Sequence, residues 1–417
     1  MIPLHASAAP ATPDVAHLLR QGTLRLPALP PLALYVHFPW CIRKCPYCDF
    51  NSHEATGEIP EARYLDALRA DLDAALPLIW GRRIVSIFFG GGTPSLISAE
   101  GLERLLSDLR ARLPLEHDCE ITLEANPGTF EAEKFSAFRA AGVNRLSIGV
   151  QSFADEQLQR LGRVHDRAQA LAAIEQAQRE FDNFNIDLMY ALPGQSIEAL
   201  RGDLELALRI APPHLSAYQL TLEPNTVFAK HPPQLPDEDT AAAMHEWIEE
   251  QTAAAGYEHY EVSAYARPGR TCRHNLNYWQ FGDYLGIGAG AHSKISFPGR
   301  ILRQARLRQP ASYMTGALAG SPLAESAEVR RGELAFEFML NALRLNRGVP
   351  ARLFTERTGM PMSAVEAALR KAEERGLLEV DADRIAPTQL GRRFLSDLQG
   401  LFLATHRGGD TGPLAGA

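Results

Sequence analysis

"YVHFPWCIRKCPYCDFNSH", residues 35–53, places Cys41, Cys45 and Cys48 directly behind a run that reads as a β-strand. The C-x3-C-x2-C spacing brings three sulfurs onto one tight loop, close enough to share a metal centre, and Pro46 stiffens the turn between the last two. The remaining cysteines, Cys119 and Cys272, stand apart, so the five do not make a disulfide framework. Crowded thiols in a reducing compartment point instead to metal or redox chemistry. Two metal readings fit. A structural zinc site would be completed by His37 or His53. An iron–sulfur cube held by three thiolates would keep one iron open for a substrate or cofactor. Zinc ribbons pair two cysteine knuckles, and this sequence has no second one.

Outward from the cysteines, short apolar runs read as buried strands over 33–38, 84–89, 119–124, 145–150, 184–190 and 215–220. Between them, 61–76, 98–112, 131–141, 155–161, 166–181 and 196–210 carry apolar residues at helical spacing, with Gly or Pro at several ends. Six strand-then-helix units with strands buried on both faces predict a parallel sheet, and an α/β fold in the form of an open, incomplete (β/α)6 barrel. Ligand loops would lie at the C-terminal ends of the strands. Residues 1–30, rich in Ala, Pro and Leu, read as a poorly ordered lead-in or a mis-chosen start. The barrel with its extension is assigned to 31–322, and a second domain to 323–417. In the latter a helix pair over 350–376, the strand-like LLEV and RIAP around a DAD turn, and a last helix near 389–404 predict a winged-helix-like unit.

The chain has 417 residues, 46% hydrophobic and 22% charged, with a formal charge of -8, which argues against a protein built to grip nucleic acid. The basic residues of the winged-helix-like unit are interspersed with acids, so packing or partner contact is the reading there. No apolar run is long enough to span a bilayer, and the start lacks the layout of a secretory signal, so a cytoplasmic protein is expected.

Four further stretches put chemistry at strand ends. FFGGGTPSL (88–96) follows a strand and precedes a helix, and its glycines let backbone approach a ligand; it lacks the Lys-Ser/Thr ending of a phosphate loop. LEANPGT (123–129), RLSIGVQSF (145–153) and NIDLMYALPGQ (185–195) place Glu124, Gln151 and Asp187 at the C-terminal ends of successive strands. Each alone reads as a helix cap or a satisfied loop group, but their recurrence at one end points to a shared pocket.

CIRKCPYC (41–48) resembles the CxxxCxxC signature of the radical S-adenosylmethionine superfamily, with Tyr47 as the aromatic before the last cysteine. That resemblance implies a [4Fe–4S] cluster on Cys41, Cys45 and Cys48. It also implies an open iron chelating the amino and carboxylate groups of S-adenosylmethionine, and cleavage of the sulfonium to a 5′-deoxyadenosyl radical. From about residue 33 to 300 the chain resembles the oxygen-independent coproporphyrinogen oxidase family. By that resemblance Tyr35, Tyr47, Gly91, Gly92, Thr93, Glu124, Gln151, Arg163 and Asp187 contact S-adenosylmethionine, Asp187 through a ribose hydroxyl.

The family contains oxidases of porphyrin biosynthesis and a heme-chaperone branch. The oxidase pattern continues to CxxxCxxCxC with a longer N-terminal segment; here Phe50 stands at the extra position and the lead-in is short. HNLNYW (274–279) resembles the HNxxYW motif of the chaperone branch, which implies heme contact by His274, Tyr278 and Trp279. Read without that motif, the stretch is a turn packed on the barrel with His274 hydrogen-bonded locally. Cys272 is left out of the site as a buried inert thiol. The resemblance thus implies a chaperone that binds heme and hands it to heme-protein clients of respiration. It implies no nucleic-acid partner and at most peripheral membrane association through a client, and a homodimer is compatible with it. An anaerobic coproporphyrinogen III oxidase and a zinc-stapled interaction protein are the alternatives.

Overall fold

The computed structural model describes residues 15–20, 22–128 and 132–403. Its frame is a mixed sheet of twelve strands among the described residues. In chain order these are β1 (Leu32–Phe38), β2 (Ile84–Gly91), β3 (Leu115–Ala125), β4 (Arg145–Gln151), β5 (Phe184–Tyr190) and β6 (His214–Gln219). They continue as β7 (Glu258–Glu261), β8 (Ala264–Ala266), β9 (Asp283–Ile287), β10 (His292–Phe297), β11 (Arg300–Arg306) and β12 (Leu323–Glu328). Their spatial order is β12-β11-β10-β9-β1-β2-β3-β4-β5-β6-β8-β7. From β9 to β6 every neighbouring pair is parallel, and antiparallel strands extend both edges.

The six expected strand–helix units are present, so the incomplete α/β barrel holds. Helix Arg167–Glu180 shows how locally the sequence fixes these units: Asp166 accepts from the Gln169 backbone N–H while the Gln169 side chain accepts from the Asp166 N–H. What the apolar runs do not announce is the extension: β7 to β12 lie outside every predicted strand. The expected second domain opens at 323, where β12 still pairs with β11 in the main sheet. The second hydrophobic cluster gathers Val329, Leu334, Phe338, Phe354, Leu369, Ile385 and their neighbours. Within it helices Arg352–Thr358 and Glu366–Glu374 precede a hairpin of Leu378–Val380 with Arg384–Pro387, the winged-helix-like order expected. The last predicted helix divides into Gln389–Arg393 and Leu395–Gly400.

Of the lead-in, residues 1–14 and 21 lie outside the described residues. Leu24 and Leu26 are buried in the second cluster, and their N–H groups donate to Gly299 and Pro298 carbonyls at 3.0 Å each. That segment therefore edges the β10–β11 hairpin.

The two faces of the parallel sheet differ in chemistry. One face is apolar and lies under the helices: Leu34 pairs with Ile87, Ile87 with Ile121, and Leu123 with Leu146. The concave face is largely polar. Across it Tyr35, Phe88, Thr122 and Arg145 form one register row, Glu124, Ser147, Asn185 and His214 the next, and Gly149, Asp187 and Ser216 a third. The strands are buried on both faces as expected, but by apolar packing on one and by hydrogen bonding on the other.

One buried ion pair ties the extension to the barrel. Arg306 of β11 and Asp71 of helix Glu61–Ala75 have side chains 1% exposed each and meet at 3.3 Å. Asp71 also accepts from Tyr313 Oη at 2.8 Å and from the Gly288 N–H at 3.3 Å. Removing the carboxylate leaves a buried guanidinium uncompensated. Asp71→Ala should cost about 3–5 kcal/mol in denaturant unfolding. A loss under about 1 kcal/mol would contradict this role.

Candidate functional site

The cysteine loop is held at its root by a short parallel ladder, Trp40–Cys41 with His53–Glu54. At its tip the Pro46 carbonyl accepts the Phe228 N–H at 3.0 Å. A Cβ on Gly162, a residue at φ +68, would stand 2.9 Å from Pro46 Cδ, so this approach requires glycine. All three cysteines are free thiols, Cys41 buried and Cys45 and Cys48 half-buried. Burial pushes the Cys41 and Cys48 thiols above the ordinary range. Cys48 Sγ lies 3.7 Å from Ser52 Oγ, and Arg163 Nη1 donates to Cys45 Sγ at 3.7 Å. Tyr47 packs on Phe228.

This donor set suits a cluster. Three thiolates on an iron–sulfur cube carry net negative charge, and the Arg163 guanidinium stands ready to offset it. Among the described residues no three His, Cys, Asp or Glu side chains converge on the position of a single ion. Thiolates on a cube bind separate irons and stand wider apart than the ligands of one ion. The proposed zinc ligand His37 is already engaged at both ring nitrogens, by Tyr35 Oη at 3.0 Å and the Asn51 carbonyl at 2.9 Å. Phe50 is 59% exposed.

The glycine stretch ends β2 beneath this loop. Gly92 and Thr93 N–H groups donate to the Phe38 and Trp40 carbonyls at 2.7 and 2.8 Å. A Cβ at Gly91, φ +116, would meet the His37 ring at 2.6 Å, and one at Gly92 would meet the Trp40 carbonyl oxygen at 2.6 Å. The loop thus packs so tightly against the cysteine root that only glycine fits.

Arg163 joins these parts. Its Nη2 donates to Asn126 Oδ1 at 2.6 Å and to the Gly149 carbonyl at 2.8 Å, and Asn126 Nδ2 donates to Thr93 Oγ1 at 2.9 Å. A chain of bonds therefore runs from Cys45 through Arg163 and Asn126 to Thr93. Asn126 was missed in the sequence; its signal was its place in LEANPGT, immediately past the C-terminal end of β3.

Glu124, Asp187 and Tyr35 line the concave interior below. Burial, then the neighbouring Asp187 charge, pushes the Glu124 carboxyl up to about 8, although the Gly91 N–H favours its ionised form. Burial also raises Asp187, against hydrogen bonds from Asn185 Nδ2 at 2.7 Å and Ser147 Oγ at 3.2 Å. Gln151 ends β4 at a register shift with φ 67, a left-handed backbone rare outside glycine. The sequence-predicted residues Tyr35, Gly91, Glu124 and Asp187 thus share one interior, with Arg163 and Thr93 between it and the cysteines.

The HNLNYW residues do not converge. Helix Arg273–Trp279 packs against β1, β2 and β9. His274 enters the interior: Nδ1 lies 3.3 Å from Ser86 Oγ, and its ring is 4.8 Å from Phe88 and 6.4 Å from Tyr35. Burial, and then Arg145, lower it to about 3, so the imidazole is neutral. Tyr278 packs beside Tyr284, its ring tilted and 5.0 Å away. Trp279 packs on the second hydrophobic cluster, with the Arg344 guanidinium 4.2 Å from its ring. One helix therefore closes the barrel and clamps the second domain. Cys272 is fully buried, its Sγ 3.5 Å from Glu120 Oε1.

Comparison with known proteins accords with this arrangement. The Radical SAM superfamily model matches residues 35–207, and the HemN C-terminal domain model matches 329–394. The chain is 49% identical to the heme chaperone HemW of Escherichia coli (strain K12) over 378 residues, 90% of this chain and 99% of that protein. It is 47% identical to the heme chaperone HemW of Haemophilus influenzae, over 91% of this chain and 99% of that one. Among solved structures, the coproporphyrinogen III oxidase HemN from Escherichia coli superposes with a TM-score of 0.77 at 24% identity, covering 90% of each chain. That likeness is one of fold.

The raised Glu124 carboxyl has a consequence for stability. Between the ordinary carboxylate range and about 8, the folded ligand-free protein keeps a proton that the unfolded chain has released, so stability falls as pH rises through that window. Glu124→Gln, measured by denaturant unfolding, should gain on the wild type between about pH 5 and about pH 8.5. A difference that does not change with pH would contradict the assignment.

Proposed function

The chain belongs to the HemW family of heme chaperones, within the radical SAM superfamily, and from that premise we propose that it binds heme and hands it to acceptor heme proteins. The observation that carries this reading is the likeness to proteins named heme chaperones over nearly the whole of both chains. The rim beside the cysteine loop supports it. Ile42 and Phe50 of the loop, and Val227 next to Phe228 that packs on Tyr47, are 53–59% exposed, apolar groups suited to a flat macrocycle.

We assign Cys41, Cys45 and Cys48 to a [4Fe–4S] cluster, which when bound supplies one-electron chemistry and an open iron for S-adenosylmethionine. The chain's own residues do the holding. Arg163 offsets thiolate charge, and the bare backbone at Gly91 and Gly92 leaves room for the methionine end. Glu124 accepts its ammonium, Asp187 accepts from the ribose, and Tyr35, Tyr47, Thr93 and Gln151 complete the walls. For heme, His274 is the candidate ligand, since its Nε2 has no hydrogen-bond partner among the described residues. Tyr278 and Trp279 serve that role by fixing the helix. Among the described residues no helix is long and apolar enough to cross a membrane; a cytoplasmic setting and respiratory heme-protein clients complete the proposal.

Anaerobic heme titration tests it. Wild type should bind heme with a shifted Soret band that His274→Ala alters and weakens. Binding indifferent to that change would refute the ligand, and no binding would refute the chaperone. With reduced cluster and S-adenosylmethionine, no CO2 release from coproporphyrinogen is expected, and turnover would favour the oxidase.

A further inference from the structure

The concave face carries two adjacent polar groups that no hydrogen bond from the described residues satisfies. Arg145 opens β4 and is 2% exposed, yet no hydrogen bond or ion pair from a described residue reaches its guanidinium, and its Nε is buried without a partner. Thr122, fully buried, stands directly opposite it on β3, and its Oγ1 is likewise unpartnered. A buried cation and a buried hydroxyl left unmatched each cost free energy, so such a pair is kept for something that the chain alone does not provide.

Burial works against the Arg145 charge, and Cys272, Glu120, Tyr260 and Asp187 offset it electrostatically, yet none of them hydrogen-bonds the guanidinium. Glu120 Oε1 accepts from Cys272 Sγ at 3.5 Å and from the His274 N–H at 3.2 Å. Asp187 is held by Asn185 and Ser147. Glu124, one register row above, is protonated near neutral pH by its burial. His214 bonds Asn185 and Tyr260 through its two nitrogens. A guanidinium with free N–H donors beside a free hydroxyl donor matches a carboxylate, which accepts on two oxygens.

We propose that Arg145 and Thr122 form a carboxylate-binding subsite in the barrel floor, which takes one propionate of the bound tetrapyrrole. This rests on the heme reading above. The methionine carboxylate of S-adenosylmethionine belongs at the cysteine loop, whereas Arg145 begins its strand, four residues or about 13 Å below the Gly149 carbonyl that Arg163 grips. The register row of Arg145 also holds Tyr35 and Phe88, and the His274 ring lies tilted against Phe88. A macrocycle meeting His274 would therefore bring its acid edge to the subsite.

The test compares iron protoporphyrin IX with its dimethyl ester, in cluster-loaded wild type, Arg145→Gln and the near-isosteric Thr122→Val. Wild type should prefer the diacid. Each variant should bind the diacid about tenfold more weakly, leave the ester within about twofold, and so lose the preference. Affinity for S-adenosylmethionine should be unchanged. If wild type binds both porphyrins equally, or the folded variants keep the preference, the subsite is refuted while the heme reading stands. Weaker S-adenosylmethionine binding with the preference intact would assign the carboxylate to that molecule and overturn the propionate. Absence of heme binding by wild type would overturn both readings together.

Discussion

The structure depends on one constraint: a parallel sheet buried on both faces must satisfy polar side chains on one of them. The outer face does this in the ordinary way, with Leu, Ile and Val under helices. The concave face holds Glu124, Arg145, Asn185, Asp187 and His214 away from bulk water, where each group needs a partner or shifts its protonation. Glu124 rises, His214 and His274 stay neutral, and Arg145 remains charged with its Nε lacking a hydrogen bond. Such an interior is costly as a core and suited to a ligand that brings its own charges.

The elements around it serve that interior. The glycines of β2 press the strand end against the root of the cysteine loop, and Arg163 ties Cys45 to Gly149 and Asn126. At the other end helix Arg273–Trp279 admits His274 to the barrel and presents Trp279 to the second domain. That single helix makes domain packing and site geometry inseparable.

How much of this was legible in the sequence follows the range of each signal. The cysteine spacing and the glycine run are local, and so the loop and the turn beneath it were readable. Glu124 and Gln151 were readable because each closes an apolar run, whereas Asp187, also expected at a strand end, stands in the middle of Phe184–Tyr190. The strands β10 and β11 were not readable, because Lys294, Arg300, Arg303 and Arg306 make that stretch look solvent-exposed. In the fold Lys294 is buried against Asp283, Arg303 meets Glu337, and Arg306 meets Asp71. Partners so distant in sequence leave no periodic trace. Thr122 and Arg145 were hidden differently, in the stretches CEITLE and RLSIGV, which were read for their apolar residues. The three HNLNYW side chains were expected together, but Trp279, five positions on from His274, points about 140° away round the helix, and Tyr278, one turn on from His274, packs beside Tyr284.

The central claim is that three cysteines hold a cube whose open iron faces the polar interior. Electron paramagnetic resonance of the anaerobically reconstituted, reduced protein, before and after S-adenosylmethionine, tests it most directly. The account predicts a reduced iron–sulfur signal whose g values shift when the molecule binds. Zinc without sulfide, or a cluster signal indifferent to S-adenosylmethionine, would contradict it.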